Sequence, residues 1–280
     1  MKFIRNLLFD FRQGIFLNRA LLLAPMVIAV MAFLDFAGKE HRYLLDGRIT
    51  ENVSLGDYWF YLYGGMHEYI PSPDNAFQFP IVWMVVFLVI PFALLNYPFK
   101  DMFGVGQQVL VQSGSRTSWW LSKCCWNFFG TILYHMIMQA MGLLLFLIFQ
   151  MDISNQIHMD FIKVVFDTTG QEIWNPSGLL LSVLILPLFV SIAINMLQMT
   201  LSLFMKPVFS FFVVACLLLT SAYRLSPLLL GNYAMAYRYN WMLKKGVSIS
   251  VGFTVSVALL LVSILLGLVK FRFYDILERE

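Results

Sequence analysis

The sequence predicts an all-α integral membrane protein: six transmembrane helices behind an N-terminal amphipathic helix lying in the interface. Three observations predict it. Of the 280 residues, 60 % are apolar and only 12 % charged, against about 45–50 % and 25 % in soluble domains. The mean hydropathy is +0.75. Several uninterrupted apolar runs approach or exceed the ~20 residues a helix needs to cross a bilayer. Backbone groups in hydrocarbon must pair within a helix or a closed barrel, and runs of this length are not barrel strands.

The six predicted spans are Ala20–Leu34, Phe79–Leu95, Cys124–Phe149, Gly178–Leu203, Val208–Tyr223 and Val247–Val269, in one transmembrane domain covering 1–280. The first and fifth runs are short, so the bilayer thins or flanking residues snorkel around them. Ahead of them, Phe3, Ile4, Leu7, Leu8, Phe11 and Ile15 recur at helical spacing, with Lys2, Arg5, Asn6, Arg12 and Gln13 elsewhere on the wheel. That pattern predicts an interfacial helix over 1–19. The first apolar run has no small-x-small cleavage pattern, which argues against a secretory signal.

Six crossings place both termini on one side. That side (1–19, 96–123, 204–207, 270–280) carries 11 basic and 5 acidic residues, and the opposite side carries 8 and 11. The positive-inside rule makes the first side cytoplasmic, in a bacterial inner or plasma membrane. Arg224, Arg238, Lys244 and Lys245 run against the rule on the outer side, but Lys2, Arg5, Arg12 and Arg19 precede the first span, which usually dominates.

Catalytic signatures are missing. There is no GxxxxGK[ST] loop, no GxSxG elbow and no HExxH; His67-Glu68 is followed by Tyr69, Ile70 and Pro71. The sequence therefore predicts neither an enzyme nor a metal or cofactor site in this chain. Cys124, Cys125 and Cys216 fall in or beside apolar runs, as packed or lipid-facing thiols. No Asp, Glu, Lys or Arg is expected deep in the membrane, and His135 is the one clear intramembrane ionisable residue, read as a hydrogen-bonded packing group.

Two polar seams mark the spans. Asn127, Thr131, His135 and Gln139 recur every four residues on the third, and Ser191, Asn195, Gln198 and Ser202 share one face of the fourth. Two readings stand side by side: hydrogen bonding between helices, or one wall of a polar-sided substrate path. On the sixth span Ser248, Gly252, Ser256, Ser263 and Gly267 make a small-residue stripe suited to close helix packing. In the outer loop 35–78 the run Tyr58-Trp59-Phe60-Tyr61-Leu62-Tyr63 predicts a segment lying on the outer membrane surface.

The cytoplasmic stretch 99–123 is the most pointed. Val109, Leu110 and Val111 suggest a short helix, Ser113-Gly114-Ser115 a turn, and Arg116 a cation at the membrane surface. Trp119 and Trp120 mark the interface where the third span begins. The six-span order, the amphipathic first helix, the QSGSRTSWWLSK stretch and LLGNYAMAYRYNW at 229–241 resemble permease subunits of type-2 ATP-binding-cassette exporters. Small bacterial permeases for peptide antibiotics and self-immunity are the most similar.

The resemblance implies an exporter permease without catalytic residues, moving an amphipathic peptide, drug or lipid outward. It implies separate ATP-binding-cassette ATPase subunits as partners, which hold the ATP and Mg, and a second permease chain, the same or similar. It places the coupling helix near Gln107, Gln108, Gln112, Ser113, Gly114, Ser115 and Arg116, and the junction to the span at Trp119 and Trp120. The substrate path would draw on Asn127, Thr131, His135, Gln139, Ser191, Asn195 and Gln198. An outer re-entrant hairpin would occupy 225–245. The alternative is a non-transporting immunity or scaffold protein that binds a toxin or partner.

Overall fold

The structure, a computed structural model, describes residues 2–71, 76–104, 115–166, 179–243 and 245–273. It is all-helical. The helices are α1 Lys2–Asp10, α2 Arg19–Leu45, α3 Leu55–Tyr63, α4 Ile81–Leu94, α5 Tyr97–Met102, α6 Arg116–Ile148, α7 Met159–Val165, α8 Leu179–Leu201, α9 Pro207–Tyr223 and α10 Ile249–Arg272. A π-helical stretch, Phe11–Phe16, continues α1, and two 3-10 turns, Leu230–Ala234 and Ala236–Arg238, lie between α9 and α10.

Five helical stretches are long and apolar enough to cross a membrane: Arg19–Leu45, Ile81–Met102, Arg116–Ile148, Leu181–Leu201 and Ile249–Arg272. Pro207–Tyr223 is apolar but shorter. The boundaries differ from the apolar runs where polar residues find local partners. α2 runs on past Leu34 because Asp35 pairs with Lys39 one turn later, at 2.9 Å, and accepts from the Tyr61 hydroxyl. α6 begins at Arg116, well before Cys124, because Ser115 caps it by accepting from the Ser118 N–H at 3.3 Å. At the head of α2, Asn18 does two jobs: its carbonyl accepts from the Leu21 N–H and its amide donates to Ala93 O.

α8 is the axis of the bundle, touching α4, α6, α9 and α10. Val183, Leu186, Val190, Ala193 and Ile194 on it are buried. The small-residue stripe of α10 turns inward: Gly252, Ser256, Ser263 and Gly267 are its buried polar and small positions. A methyl group at Gly267 would fall inside the Trp120 indole. That close approach is what the stripe permits.

The aromatic segment 58–63 departs from expectation. It does not lie on a surface; α3 is packed among α2, α4, α6 and α8, with Tyr58, Phe60, Leu62 and Tyr63 fully buried. Its hydroxyls find partners inside. Tyr58 donates to Ala29 O at 3.0 Å, and Tyr63 meets His135 Nδ1 at 2.9 Å. Amphipathic aromatics serve a membrane boundary and a polar-lined core equally well, which is why composition alone points the wrong way here. Asp57 closes a capping box with Ser54 at the head of α3.

Candidate functional site: a buried charged junction and an amide seam

At one end of the bundle the first turns of α6 gather three other helices, α1, α5 and α10. Arg116 donates to the carbonyls of Arg272 at 3.0 Å and Phe271 at 3.4 Å, a cation against the C-terminal end of α10. Trp119 stacks on Phe271 with ring centroids 4.6 Å apart, and its indole N–H donates to Asp101 at 3.2 Å. Trp120 donates to Ile264 O at 3.1 Å. Both tryptophans are buried in protein, contrary to the expected interfacial belt: packing against α10 and the Asp101 carboxylate replaces the headgroup region.

One turn further on, Lys123 is completely buried between two carboxylates, Asp10 at the end of α1 and Asp101 in α5. The Asp101 contact is 2.6 Å. Asp10 also accepts from the Tyr97 hydroxyl at 2.9 Å and from the Ser122 hydroxyl. The ammonium lies 4.6 Å from the Tyr97 ring centroid and 4.9 Å from that of Trp119. Sequence reading missed this triad. Asp10, Asp101 and Lys123 each sit beside, not within, an apolar run, and their meeting is a product of the tertiary fold. The usable sign was helical spacing to aromatics: Lys123 stands four residues after Trp119, and Asp101 four after Tyr97.

Among the coupling residues, Ser115 and Arg116 are described. Gln107, Gln108, Gln112, Ser113 and Gly114 lie outside the described residues. The polar seams of α6 and α8 face each other. Asn195 donates to Thr131 Oγ1 at 3.0 Å, Thr131 to Asn127 O at 2.8 Å, and Asn127 to Asn195 O at 3.3 Å. Gln198 donates across to Pro91 O at 3.1 Å. Nearer the other end, Gln139 donates to the Tyr63 hydroxyl at 3.4 Å, which joins it to His135. Ser191 is buried nearby with its hydroxyl unpaired. Between Asn127, Asn195 and Gln198 lies a cavity of about 10 Å³, room for about one water.

The opposite end has its own fixed points. Asp57 is buried and accepts from the His158 backbone N–H at 2.6 Å while touching its ring Nδ1 at 2.6 Å. Burial pushes the Asp57 carboxyl above its ordinary range, against the hydrogen bonds from His158 and Ser54 that pull it down. Arg238, from the segment 225–245, is also completely buried. Its guanidinium donates to Met66 O at 2.9 Å, His67 O at 3.0 Å, Ala222 O at 2.7 Å, Ser221 O and Asn232 Oδ1. Burial lowers this group to about 10, with Glu68 opposing. The segment 225–245 contains two buried 3-10 turns and no α-helix among its described residues.

No group of three or more metal-ligating side chains occurs among the described residues. Cys124, Cys125 and Cys216 are free thiols.

Fold and site together define an all-helical chain with five helices fit to cross a membrane and a charged junction buried at one end of them. The sequence model of the family described as "Protein of unknown function (DUF2705)" matches residues 16–277, and the chain belongs to that family. No curated protein and no solved structure matches it closely enough to carry an argument.

Proposed function

We propose that the chain is the six-span permease subunit of an ATP-driven exporter. It works with separate ATP-binding-cassette ATPase subunits that hold ATP and Mg, and with a second permease chain. It moves an amphipathic substrate outward across a bacterial cell membrane.

The observation that carries this reading is the junction at the start of α6. A soluble motor acting on the stretch 99–115 needs a rigid connection to the spans. Arg116, Trp119, Trp120 and Lys123 supply one, bonded to α10, to α5 and to the end of α1. A push on this stretch reaches four helices at once, because paired charges and stacked rings transmit displacement without slack. The 10 Å³ cavity in the amide seam is far below substrate size, which supports a path enclosed by two chains rather than one. Exposed apolar side chains on α10, among them Leu261, Leu265 and Val269, leave a face for lipid or for that second chain.

Which ends meet supports the reading of six crossings. Arg116 ties the start of α6 to the end of α10, and the triad brings the ends of α1 and α5 to the same place. Arg238 ties the end of α9 to Met66, on the far side of α3. α8 and α10 both run toward the triad end, and on this reading α9 carries the chain back across the membrane. Its 17 residues rise about 25 Å, short of a ~30 Å core, which local thinning accommodates.

Single cysteines placed in a cysteine-free background test this. At Ser115 and Phe273 they stay shielded from an impermeant thiol reagent in whole cells, whereas at Thr50 and Ser226 they react. Labelling at Ser115 together with protection at Thr50 would invert the orientation and remove the coupling role. Opposite behaviour of Ser115 and Phe273 would mean that α9 does not cross.

A further inference from the structure

We propose that the cavity between α4, α6 and α8 is a binding site for one monovalent alkali cation, sodium or potassium. The orientation of the amides is dictated by what they face. Pro91 O and Asn195 O can only accept, so Gln198 and Asn127 must present their NH₂ groups to them. Asn195 presents its NH₂ to Thr131 Oγ1, whose own proton is given to Asn127 O. The carbonyl ends are therefore turned away from these partners. Asn127 Oδ1, Asn195 Oδ1 and Gln198 Oε1 are all buried without a hydrogen-bond partner, on side chains at most 4 % exposed. All three residues line the cavity, with Ser202 beside them and Leu94 and Met199 as apolar wall.

Three acceptors of the lining wait for a partner. The Ser202 hydroxyl is already spent on Met199 O at 2.6 Å, and no side-chain donor of the lining is left unpartnered. A water would give two protons to three waiting oxygens and leave one of them unmet. A cation satisfies every oxygen at once, as carbonyl dipoles do when they replace a hydration shell.

Charge points the same way from an independent place. Lys123 stands four residues before Asn127 on α6, and Asp101 stands three after Pro98, which also lines the cavity. The triad of two aspartates and one lysine carries a formal charge of −1, buried about one helical turn away. A buried net anion calls for a countercharge. With neutral oxygens and no carboxylate in the lining, the site favours a singly charged ion over calcium or magnesium. This inference does not depend on transport.

The test is the unfolding temperature of the purified wild-type protein in detergent, titrated with sodium, potassium or choline chloride at constant ionic strength. The expected result is a saturable rise with at least one alkali cation and none with choline. Removing one oxygen in Gln198→Met or Ser202→Ala raises the half-saturating concentration about ten-fold, the weight of one ordinary polar contact. Ser202→Ala changes a single small side chain and remains informative should Gln198→Met fail to fold. Identical behaviour of the wild type in all three salts would assign the cavity to water and overturn the proposal. Alkali-specific stabilisation unchanged in the folded variants would place the ion elsewhere and overturn it equally.

Discussion

Lys123→Met is expected to destabilise the protein by about 3–5 kcal/mol, the cost of leaving buried carboxylates without their cation. Asp10 and Asp101 are at most 9 % exposed and share this one ammonium. Methionine keeps much of the volume against Tyr97 and Trp119 but supplies no charge. Chemical unfolding in detergent micelles measures the loss. Replacing both partners as well, in Lys123→Met with Asp10→Asn and Asp101→Asn, should recover most of it, since removing all members of a buried ionic group is often nearly neutral. The recovered triple variant separates stability from coupling. It would be folded yet lack the ionic tie between α1, α5 and α6. Loss of less than about 0.5 kcal/mol in the single variant, the range of an ordinary surface change, would show that the triad holds nothing together.

The second large effect is expected at Arg238. Its guanidinium serves six acceptors, the sixth being Arg224 O at 3.5 Å. Three of them are carbonyls from the end of α9, where a cation also opposes the negative end of the helix dipole. Arg238→Met strands these groups at about 1–3 kcal/mol for each that water cannot reach. A total loss above about 3 kcal/mol follows, or failure to accumulate in the membrane. Arg238→Lys rescues only in part, because an ammonium has three donors and no planar fork. Limited proteolysis should cut first within 224–246, leaving α2 and α6 intact. Wild-type resistance in Arg238→Met would mean that hydrophobic packing of Tyr233, Tyr239 and Met242 holds this segment unaided.

The helices were legible because hydrocarbon imposes one simple rule on a chain. Where the side chains were apolar, the sequence located helix ends to within a few residues, as at Ile81–Leu94 and Leu179–Leu201. It ended α2 early, at Leu34, and began α6 late, at Cys124, where polar residues continue both helices. The polar positions were legible by period: Asn127, Thr131 and Asn195 do lie on facing sides of α6 and α8 and bond to each other. The small stripe on α10 announced close packing, and it is met by Trp120 at Gly267 and by Tyr233 and Leu186 at Gly252.

What sequence could not convey was tertiary pairing between distant flanks. Asp10 and Lys123 are separated by 113 residues, and each is a lone charge at the edge of an apolar run, which by itself does not say whether it is buried. Arg238 looked like an exposed loop cation that violated the positive-inside rule. It is instead a buried tie whose charge faces backbone carbonyls, so it says little about orientation. The tyrosines of α3 misled for the same reason: a hydroxyl on an aromatic ring is at home wherever one polar partner is fixed, and His135 and Ala29 O are such partners.

The measurement that tests the central claim most directly is ATP hydrolysis by the complex purified from native membranes through an affinity tag on this chain. An ATP-binding-cassette ATPase subunit is expected to co-purify, with hydrolysis that an amphipathic peptide substrate stimulates. Arg116→Glu should leave insertion and co-purification intact yet reduce that stimulation, because a carboxylate there repels the carbonyls of Phe271 and Arg272 that Arg116 now holds. Purification of this chain without any ATPase, under conditions that keep it folded, would contradict the exporter account and favour a non-transporting immunity or scaffold role. Full stimulation in Arg116→Glu would contradict the claim that force enters through the start of α6.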